Sequence, residues 1–356
     1  MADLFCGCSG LGLGARQAGF VVGASIDADP ILTSSYRTNF PGGNLHIGDI
    51  ATLTGDALTS IIGRRVDGII GGPPCQGFSE IGRADPEDPR RQLLHHFFRI
   101  VGEVKPRFFL MENVRGLANR KNLPFLDSAL QQIANHYEIV GPVIIDGSEH
   151  GAATKRPRIF VVGYDRQYVD DFNQDDFLGE RCAPTTVEEA IGDLASAVLI
   201  GEEDGFDLWQ FPPSSVHSDY ASALLSADRA TTGHRRTLHK GEIANRFAAV
   251  SQGGMDAIGR HPRLSWTGQC PTIRAGTGAD KGSRQAVRPL HPEEPRVITV
   301  REAARLQGFP DWFKFHPTVW HSFRMIGNSV SPIIARKLLS SIRLRMSDGD
   351  ALQAAE

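Results

Sequence analysis

Four short stretches of this sequence carry residue types that do chemistry. The first is Gly71-Gly72-Pro73-Pro74-Cys75-Gln76-Gly77-Phe78-Ser79. Two prolines fix the backbone directly before a cysteine, and glycines flank it on both sides. The result is a rigid mount for one side chain, followed by a loop free to move. A lone buried cysteine is ordinarily a small hydrophobe. One held at a strand end beside a ligand is a candidate nucleophile, because a thiol attacks better than a hydroxyl at neutral pH. The second stretch is Glu112-Asn113, which follows the apolar run Phe108-Phe109-Leu110-Met111; an acid at that point needs a partner or a proton. The third is Phe5-Cys6-Gly7-Cys8-Ser9-Gly10, with Asp27 twenty residues beyond Gly7. A glycine turn lets the backbone approach a ligand, and an acid at the next strand end can accept both ribose hydroxyls. The fourth, Gly48-Asp49-Ile50, offers a carboxylate to an adenine amino group. Taken alone, the last two indicate a nucleoside cofactor and no more. Gly10-x-Gly12-x-x-Ala15 also fits the relaxed dinucleotide fingerprint, so a nicotinamide-linked dehydrogenase is a rival, though one with no use for Pro73-Pro74-Cys75. Each acid read singly is as well a turn or cap residue.

The elements that must position these residues alternate. Ala2–Cys6, Val21–Ile26, Leu45–Ile47, Val66–Ile70 and Phe108–Met111 read as buried strands. Leu11–Ala18 reads as a helix, and Asp29-Pro30 as an N-cap with proline at the first helical position. In Arg91–Val104, Leu93, Leu94, Phe97, Phe98, Val101 and Val104 recur at three- and four-residue steps, and Leu123, Leu126, Leu130 and Ile133 repeat the pattern. Strands alternating with helices imply βαβ units, hence an α/β fold with a parallel sheet, helices on both faces, and ligands beyond the carboxyl ends of the strands. After about residue 165 the alternation fades, and a second, irregular domain is expected.

The chain has 356 residues, a net charge of −3 and five cysteines. Apolar residues at 41% and charged ones at 22% exclude wholesale disorder, and no apolar run is long enough for a membrane span. The odd cysteine count fits no disulfide framework and points to a reducing compartment; Met1–Gly10 does not read as a secretory signal. No cysteine spacing suits zinc, so no metal is expected. The net charge is misleading, because charge is segregated. Between Asp165 and Asp207 thirteen acids face two arginines, near −11; between Arg229 and Arg288 eleven bases face three acids, near +8. A basic block after an acidic one reads either as a module with an anionic partner or as a solvated face balancing its neighbour.

The ordered motifs carry a resemblance. Asp3–Gly10, Asp27, Gly48-Asp49-Ile50, Gly71–Ser79, Met111-Glu112-Asn113-Val114, Thr154–Arg158, Val300–Asp311 and Gly327-Asn328-Ser329-Val330-Ser331-Pro332 resemble the segments of DNA (cytosine-5)-methyltransferases, along nearly the whole chain. Two departures are Ser9, where glycine is common, and Ala153-Thr154, where Pro-Gln is commoner.

The resemblance implies a doubly wound, Rossmann-like methyltransferase sheet with a smaller target-recognition domain. The catalytic domain would be discontinuous, 1–180 plus 325–356, with target recognition in 181–292 and a hinge and connecting segment in 293–324. It implies S-adenosylmethionine as methyl donor and S-adenosylhomocysteine as product. Cys75 would add to carbon 6 of a flipped-out cytosine, Glu112 would hold ring nitrogen 3 and the exocyclic amine, and Arg158, supported by Arg156, would face the cytosine carbonyl. Phe5, Gly7, Gly10, Asp27, Asp49, Ile50, Pro74, Leu93, Asn328 and Ser329 fall where the family holds the cofactor. Gln76, Arg83, Arg90, Arg91, Arg235, Arg236 and Arg274 fall where it meets DNA. Duplex DNA is the implied partner. A related enzyme acting on RNA, and an inactive cofactor-binding protein, stay open, as does a cognate restriction endonuclease. A monomer in a bacterial cytoplasm, associated with the nucleoid, is the expected setting.

Overall fold

The computed structural model describes residues 1–74, 92–178, 181–276 and 287–346. Cys75, Gln76, Arg83, Arg90 and Arg91 lie outside the described residues. The strands of the first half are Ala2–Leu4 (β1), Ala24–Asp27 (β2), Leu45–Ile47 (β3), Gly68–Gly71 (β4), Phe108–Val114 (β5), Glu138–Asp146 (β6), the two-residue Thr154–Lys155 (β7) and Pro157–Tyr164 (β8). All but β7 form one sheet in the order β3-β2-β1-β4-β5-β8-β6. Pairing is parallel from β3 through β5 and antiparallel from β5 to β8 and β8 to β6. A wholly parallel sheet was the expectation; the edge differs because only a ten-residue connection, Gly147–Arg156, joins β6 to β8, and parallel strands need a longer crossover.

Successive residues of the central strands feed opposite cores. Ile69, Phe109 and Val161 pack under Gly55–Ile62 (α3), Gln92–Val104 (α4) and Leu123–Leu130 (α5), through Leu58, Leu94, Phe97, Phe98, Val101 and Leu126. Ile70, Leu110 and Val162 pack under Gly10–Gln17 (α1) and Pro332–Arg343 (α12), through Leu11, Ala15, Ile334, Ala335 and Leu338. The apolar steps of α4 thus form the buried stripe that its spacing predicts. The C-terminal helix rejoins the sheet beside α1 from more than three hundred residues away.

At Asp29-Pro30 the chain turns instead of beginning a helix. Asp29 Oδ1 accepts from the backbone N–H groups of Ile31 and Leu32 at 2.8 and 3.1 Å, as a cap would. The hydroxyls of Thr33 and Ser34 then donate to the carbonyls of Asp29 and Ile31 at 2.9 and 2.8 Å. Such local bonds compete with a helical ladder, and regular helix appears only at Tyr36–Asn39 (α2).

The rest of the chain holds a short antiparallel sheet, Val198–Glu203 (β9), Phe206–Gln210 (β10) and Ala230–Thr232 (β11). The helices there are Gln174–Leu178 (α6), Val187–Ile191 (α7), Asp219–Leu224 (α8), Gly241–Ala248 (α9), Val300–Gln307 (α10) and Val319–Asn328 (α11). One apolar cluster runs from Leu13, Tyr36 and Phe40 to Val187, Leu264, Ile273, Phe309 and Phe313, so the second half packs directly on the first. No helix among the described residues is long and apolar enough to cross a membrane.

α10 lies at the centre of that cluster, buried at all eight positions despite its polar sequence. Thr299 and Glu302 cap its start reciprocally. Arg301 donates to the carbonyls of Thr232, Pro310 and Phe313 at 2.7–3.0 Å. Arg305 grips both oxygens of Asp311 at 2.6 Å and those of Asp193 at 3.2–3.3 Å. Desolvation is offset only because every partner is present. Arg305→Leu leaves Asp311 with only Arg301, 4.0 Å away, and Asp193 with only His217, and should lower unfolding free energy by about 3–5 kcal/mol in a denaturant titration.

The junction of β1 and α1 holds another buried acid. Ser9 sits at φ 64°, a left-handed conformation unfavourable to a non-glycine residue, and its hydroxyl donates to Asp3 Oδ2 at 2.8 Å. Burial pushes the Asp3 carboxyl up to about 7, against the Ser9 bond and the Arg16 charge. A carboxyl that holds its proton more tightly folded than unfolded stabilises below its unfolded value near 4; that contribution is lost as pH rises towards 7. Stability should therefore fall by roughly 4 kcal/mol between pH 4 and pH 7 from this group. Asp3→Asn, followed by denaturation across that range, should remove the slope.

Candidate active site

The strand order reverses between β1 and β4, whose neighbours run outward on opposite sides, and a crevice opens beyond the carboxyl ends of such a pair. A cavity of about 570 Å³ occupies that place. Phe5 and Gly7 after β1, Asp27 at the end of β2, Asp49 and Ile50 after β3, Pro74 after β4, and Glu112 on β5 all line it. So do Gly10, Leu93, Asn328, Ser329, Arg156 and Arg158. Every cofactor residue expected from the sequence is thus on one wall or another, together with the expected acid and both arginines.

At one end, Asp27 is held by backbone donors. Its Oδ2 accepts from Gly7 N and its Oδ1 from Asp29 N, both at 2.8 Å, while burial raises its pKa against those bonds. Each oxygen keeps a lone pair for a ligand. Phe5, Gly7 and Ser9 all have positive φ, which bends the first loop over the sheet edge. Gly10 is required by close approach: a Cβ there would stand 1.9 Å from Ser329 Oγ and 2.5 Å from the Val330 carbonyl. The C-terminal segment 325–330 therefore closes the cavity by resting on the first loop, with Cys8 Sγ donating to the Met325 carbonyl at 3.6 Å.

At the other end, Glu112 is buried, and its Oε1 pairs with Arg158 Nε at 3.0 Å. Burial raises the Glu112 pKa; the charges of Arg158 and Arg156 and the Arg158 hydrogen bond oppose it. Arg156 donates through Nη2 to the Gly327 carbonyl at 2.8 Å and through Nη1 to that of Ile273 at 3.3 Å. It thereby ties β8's approach to α11 and to the basic block. Gly72 passes close to the acid: a Cβ there would lie 3.1 Å from Glu112 Oε2, a tight contact. Thr154, at the departure from the common Pro-Gln, points away from the cavity and donates to the Leu306 carbonyl at 2.6 Å.

Two residues here were not singled out as site residues from the sequence. Asn113 Nδ2 donates to the Pro73 carbonyl at 3.1 Å, fixing the strand exit that leads to residue 75; its place beside Glu112 was the available signal. Arg324 reaches Asp29 Oδ2 at 3.2 Å across the cavity mouth, and at a separation of 295 in the sequence no sequence signal joins the two.

The basic residues are dispersed. Arg274 is exposed, next to Ile273, whose carbonyl Arg156 holds. Arg235 pairs with Glu202, and Arg236 Nη1 lies 3.5 Å from Glu294; neither lines the large cavity. Arg263 is buried, donating to the carbonyls of Phe247, His291, Pro292 and Glu294, and serves as a structural knot.

Comparison with known proteins agrees with this geometry. The family model for C-5 cytosine-specific DNA methylases matches residues 1–343. Type II methyltransferase M.XorII of Xanthomonas oryzae pv. oryzae is 39% identical, over 94% of this chain and 82% of its own. Type II methyltransferase M.DdeI of Desulfomicrobium norvegicum is 30% identical, over 96% and 87%. Among solved structures, a DNA modification methyltransferase encoded within an E. coli prophage superposes with TM-score 0.83 at 35% identity, covering 97% of this chain and 98% of that one. The S. pombe Dnmt2 methyltransferase shares the fold, with TM-score 0.60 at 16% identity over 95% and 96%. With the family model matched over nearly all of its length, the chain belongs to the C-5 cytosine-specific DNA methylases and is an enzyme of DNA cytosine methylation.

Proposed function

We propose that the protein transfers a methyl group from S-adenosylmethionine to carbon 5 of a flipped-out cytosine in duplex DNA, through a transient covalent bond from Cys75. The observation that carries this reading is one cavity with two chemically distinct ends, Asp27 and Asp49 at one and the Glu112–Arg158 pair at the other. Its volume is right for a nucleoside-sized ligand beside a base. The donor fits the first end: Phe5, Ile50 and Leu93 supply apolar walls, Asp27 keeps acceptor capacity for ribose hydroxyls, and Gly7 and Gly10 let the backbone come close. When bound, it supplies an electrophilic methyl on a sulfonium.

The chain's own residues make the base reactive. Carbon 5 of cytosine is a poor nucleophile. Cys75, which directly follows the cavity-lining Pro74, adds as thiolate to carbon 6 and pushes electron density to carbon 5. Glu112 binds ring nitrogen 3 and the exocyclic amine, where charge would otherwise develop. Arg158 faces the cytosine carbonyl, and Arg156 braces the site. After methylation, loss of the carbon 5 proton expels Cys75 and releases 5-methylcytosine and S-adenosylhomocysteine. A base in a duplex cannot enter such a cavity, so it is flipped at a cost of a few kcal/mol. Gln76, Arg83, Arg90, Arg91 and Arg274 are proposed contacts to the DNA around it. Arg235 and Arg236 would have to exchange Glu202 and Glu294 for phosphate. The segment 181–292 is the proposed target-recognition module. The similarity to type II methyltransferases supports a cognate restriction endonuclease as partner.

Tritium from methyl-labelled S-adenosylmethionine should appear in duplex DNA. Cys75→Ala should abolish transfer while DNA binding persists; undiminished transfer would remove Cys75 from the mechanism. A 5-fluorocytosine duplex should trap a covalent adduct on Cys75, seen as a mass shift, because fluorine blocks the elimination. Asp27→Ala should weaken donor binding at least about tenfold in calorimetry, the loss of charge-assisted hydrogen bonds worth about 1.5–3 kcal/mol.

A further inference from the structure

Behind the two arginines lies a second chamber, of about 20 Å³. Arg156, Arg158 and Val330 lie between it and the large cavity, since all three line both spaces. Thr154, Gln307 and Ser331 bring the other polar groups, and the remainder of the lining is chiefly apolar. Gln307 is fully buried. Its Nε2 donates to the Ser329 carbonyl at 3.0 Å, but its Oε1 has no hydrogen-bond partner among the described residues. Ser331 is 6% exposed, and its hydroxyl likewise has none, although it stands at the N-cap of α12.

A buried polar atom without a partner costs about 1–3 kcal/mol, and here two of them belong to residues that line one chamber. A single water needs roughly 10–15 Å³ of such space and two to four polar partners, and the chamber meets both conditions. We propose that one ordered water is built into this chamber, donating to Gln307 Oε1, hydrogen-bonded to Ser331 Oγ and accepting from the guanidinium wall, so that Gln307 and Ser331 are positioning residues for Arg158. Arg156 is already fixed by the carbonyls of Ile273 and Gly327. Arg158 has Glu112 in front and, besides it, only its neighbour's carbonyl at Pro157, 2.8 Å from Nη1, among the bonds described. A water at its back completes the guanidinium's hydrogen bonding and holds it on Glu112. The water stands on geometry alone; its effect on turnover rests on the proposed role of Glu112.

Ser331→Ala is the sharpest probe, because it deletes one oxygen that bonds to nothing else among the described residues. A high-resolution crystal structure of the full chain should show the water in the natural protein and its loss in Ser331→Ala and Gln307→Met. In both variants kcat should fall about tenfold, the equivalent of about 1.4 kcal/mol. The limb of the kcat–pH profile governed by Glu112 should move up by about half a unit or more, because a loosened Arg158 no longer holds that carboxyl down. The calorimetric Kd for S-adenosylmethionine should stay within about twofold, and Ser331→Thr, which keeps the hydroxyl, should restore the profile. A dry chamber overturns the proposal, and so does a bound water whose loss leaves the pH profile unmoved. A natural protein that holds the water but methylates no DNA would overturn the proposed function and, with it, the positioning role.

Discussion

A carboxylate taken out of water is tolerated only beside a cation or with a proton of its own, and the arrangement of the site follows from how Glu112 meets that condition. Its partner comes from the adjacent strand. β8 runs antiparallel to β5, with Glu112 opposite Phe160 and Val114 opposite Arg158. Glu112 and Arg158 are therefore diagonal neighbours, within reach of a long side chain. Had β8 continued the parallel run, this register would be lost. The one reversal of direction in the sheet is thus what delivers a guanidinium to the acid, and the short β6–β8 connection enforces that reversal.

The pair is also where distant parts of the chain are joined. Arg156, two residues before Arg158, holds the carbonyls of Ile273, in the basic block, and Gly327, at the end of α11. Gly327 in turn leaves no room for a side chain, since a Cβ there would meet Ala275 N at 2.3 Å. The same C-terminal stretch covers Gly10 through Ser329. A small set of close approaches, each requiring a bare glycine, brings the first loop, the acid-bearing strand and the last helices to one cavity.

Much of this was legible in the sequence, for a physical reason: short apolar runs and three- and four-residue apolar steps are local signals. β1 to β5, α1 and α4 fall within a few residues of where those signals place them; Asp27 ends β2 and Asp49 follows β3, as turns gather polar groups, whereas β5 runs two residues past Glu112, because pairing with β8 continues to Val114. What periodicity does not carry is order and direction across a sheet. The insertion of β8 between β5 and β6, and the Asp29–Arg324 bridge, depend on pairings between segments far apart in the chain. α10 misleads in the opposite sense. Its charged residues Arg301, Glu302 and Arg305 are all buried, because Arg296 pairs with Glu302, and Asp311 and the distant Asp193 both pair with Arg305.

That burial bears on the charge segregation. The acidic stretch reads from composition as a solvated counterweight to the basic block, but several of its members have structural work, Asp193 and Asp207 among them. Asp193 binds Arg305 and also accepts from His217 Nδ1 at 2.6 Å. Asp207 Oδ1 and Oδ2 accept from the backbone N–H groups of Gly233 and Arg235 at 2.8 and 2.7 Å, anchoring the start of the basic loop. Surface ion pairs such as Arg235–Glu202 and Arg236–Glu294 are worth little in water, so a phosphate competing for either arginine displaces a weak partner. Asp193 and Asp207 hold the scaffold, while the surface acid Glu202 screens Arg235. A chain of net charge −3 can thereby present cations to a polyanion without repelling it as a whole.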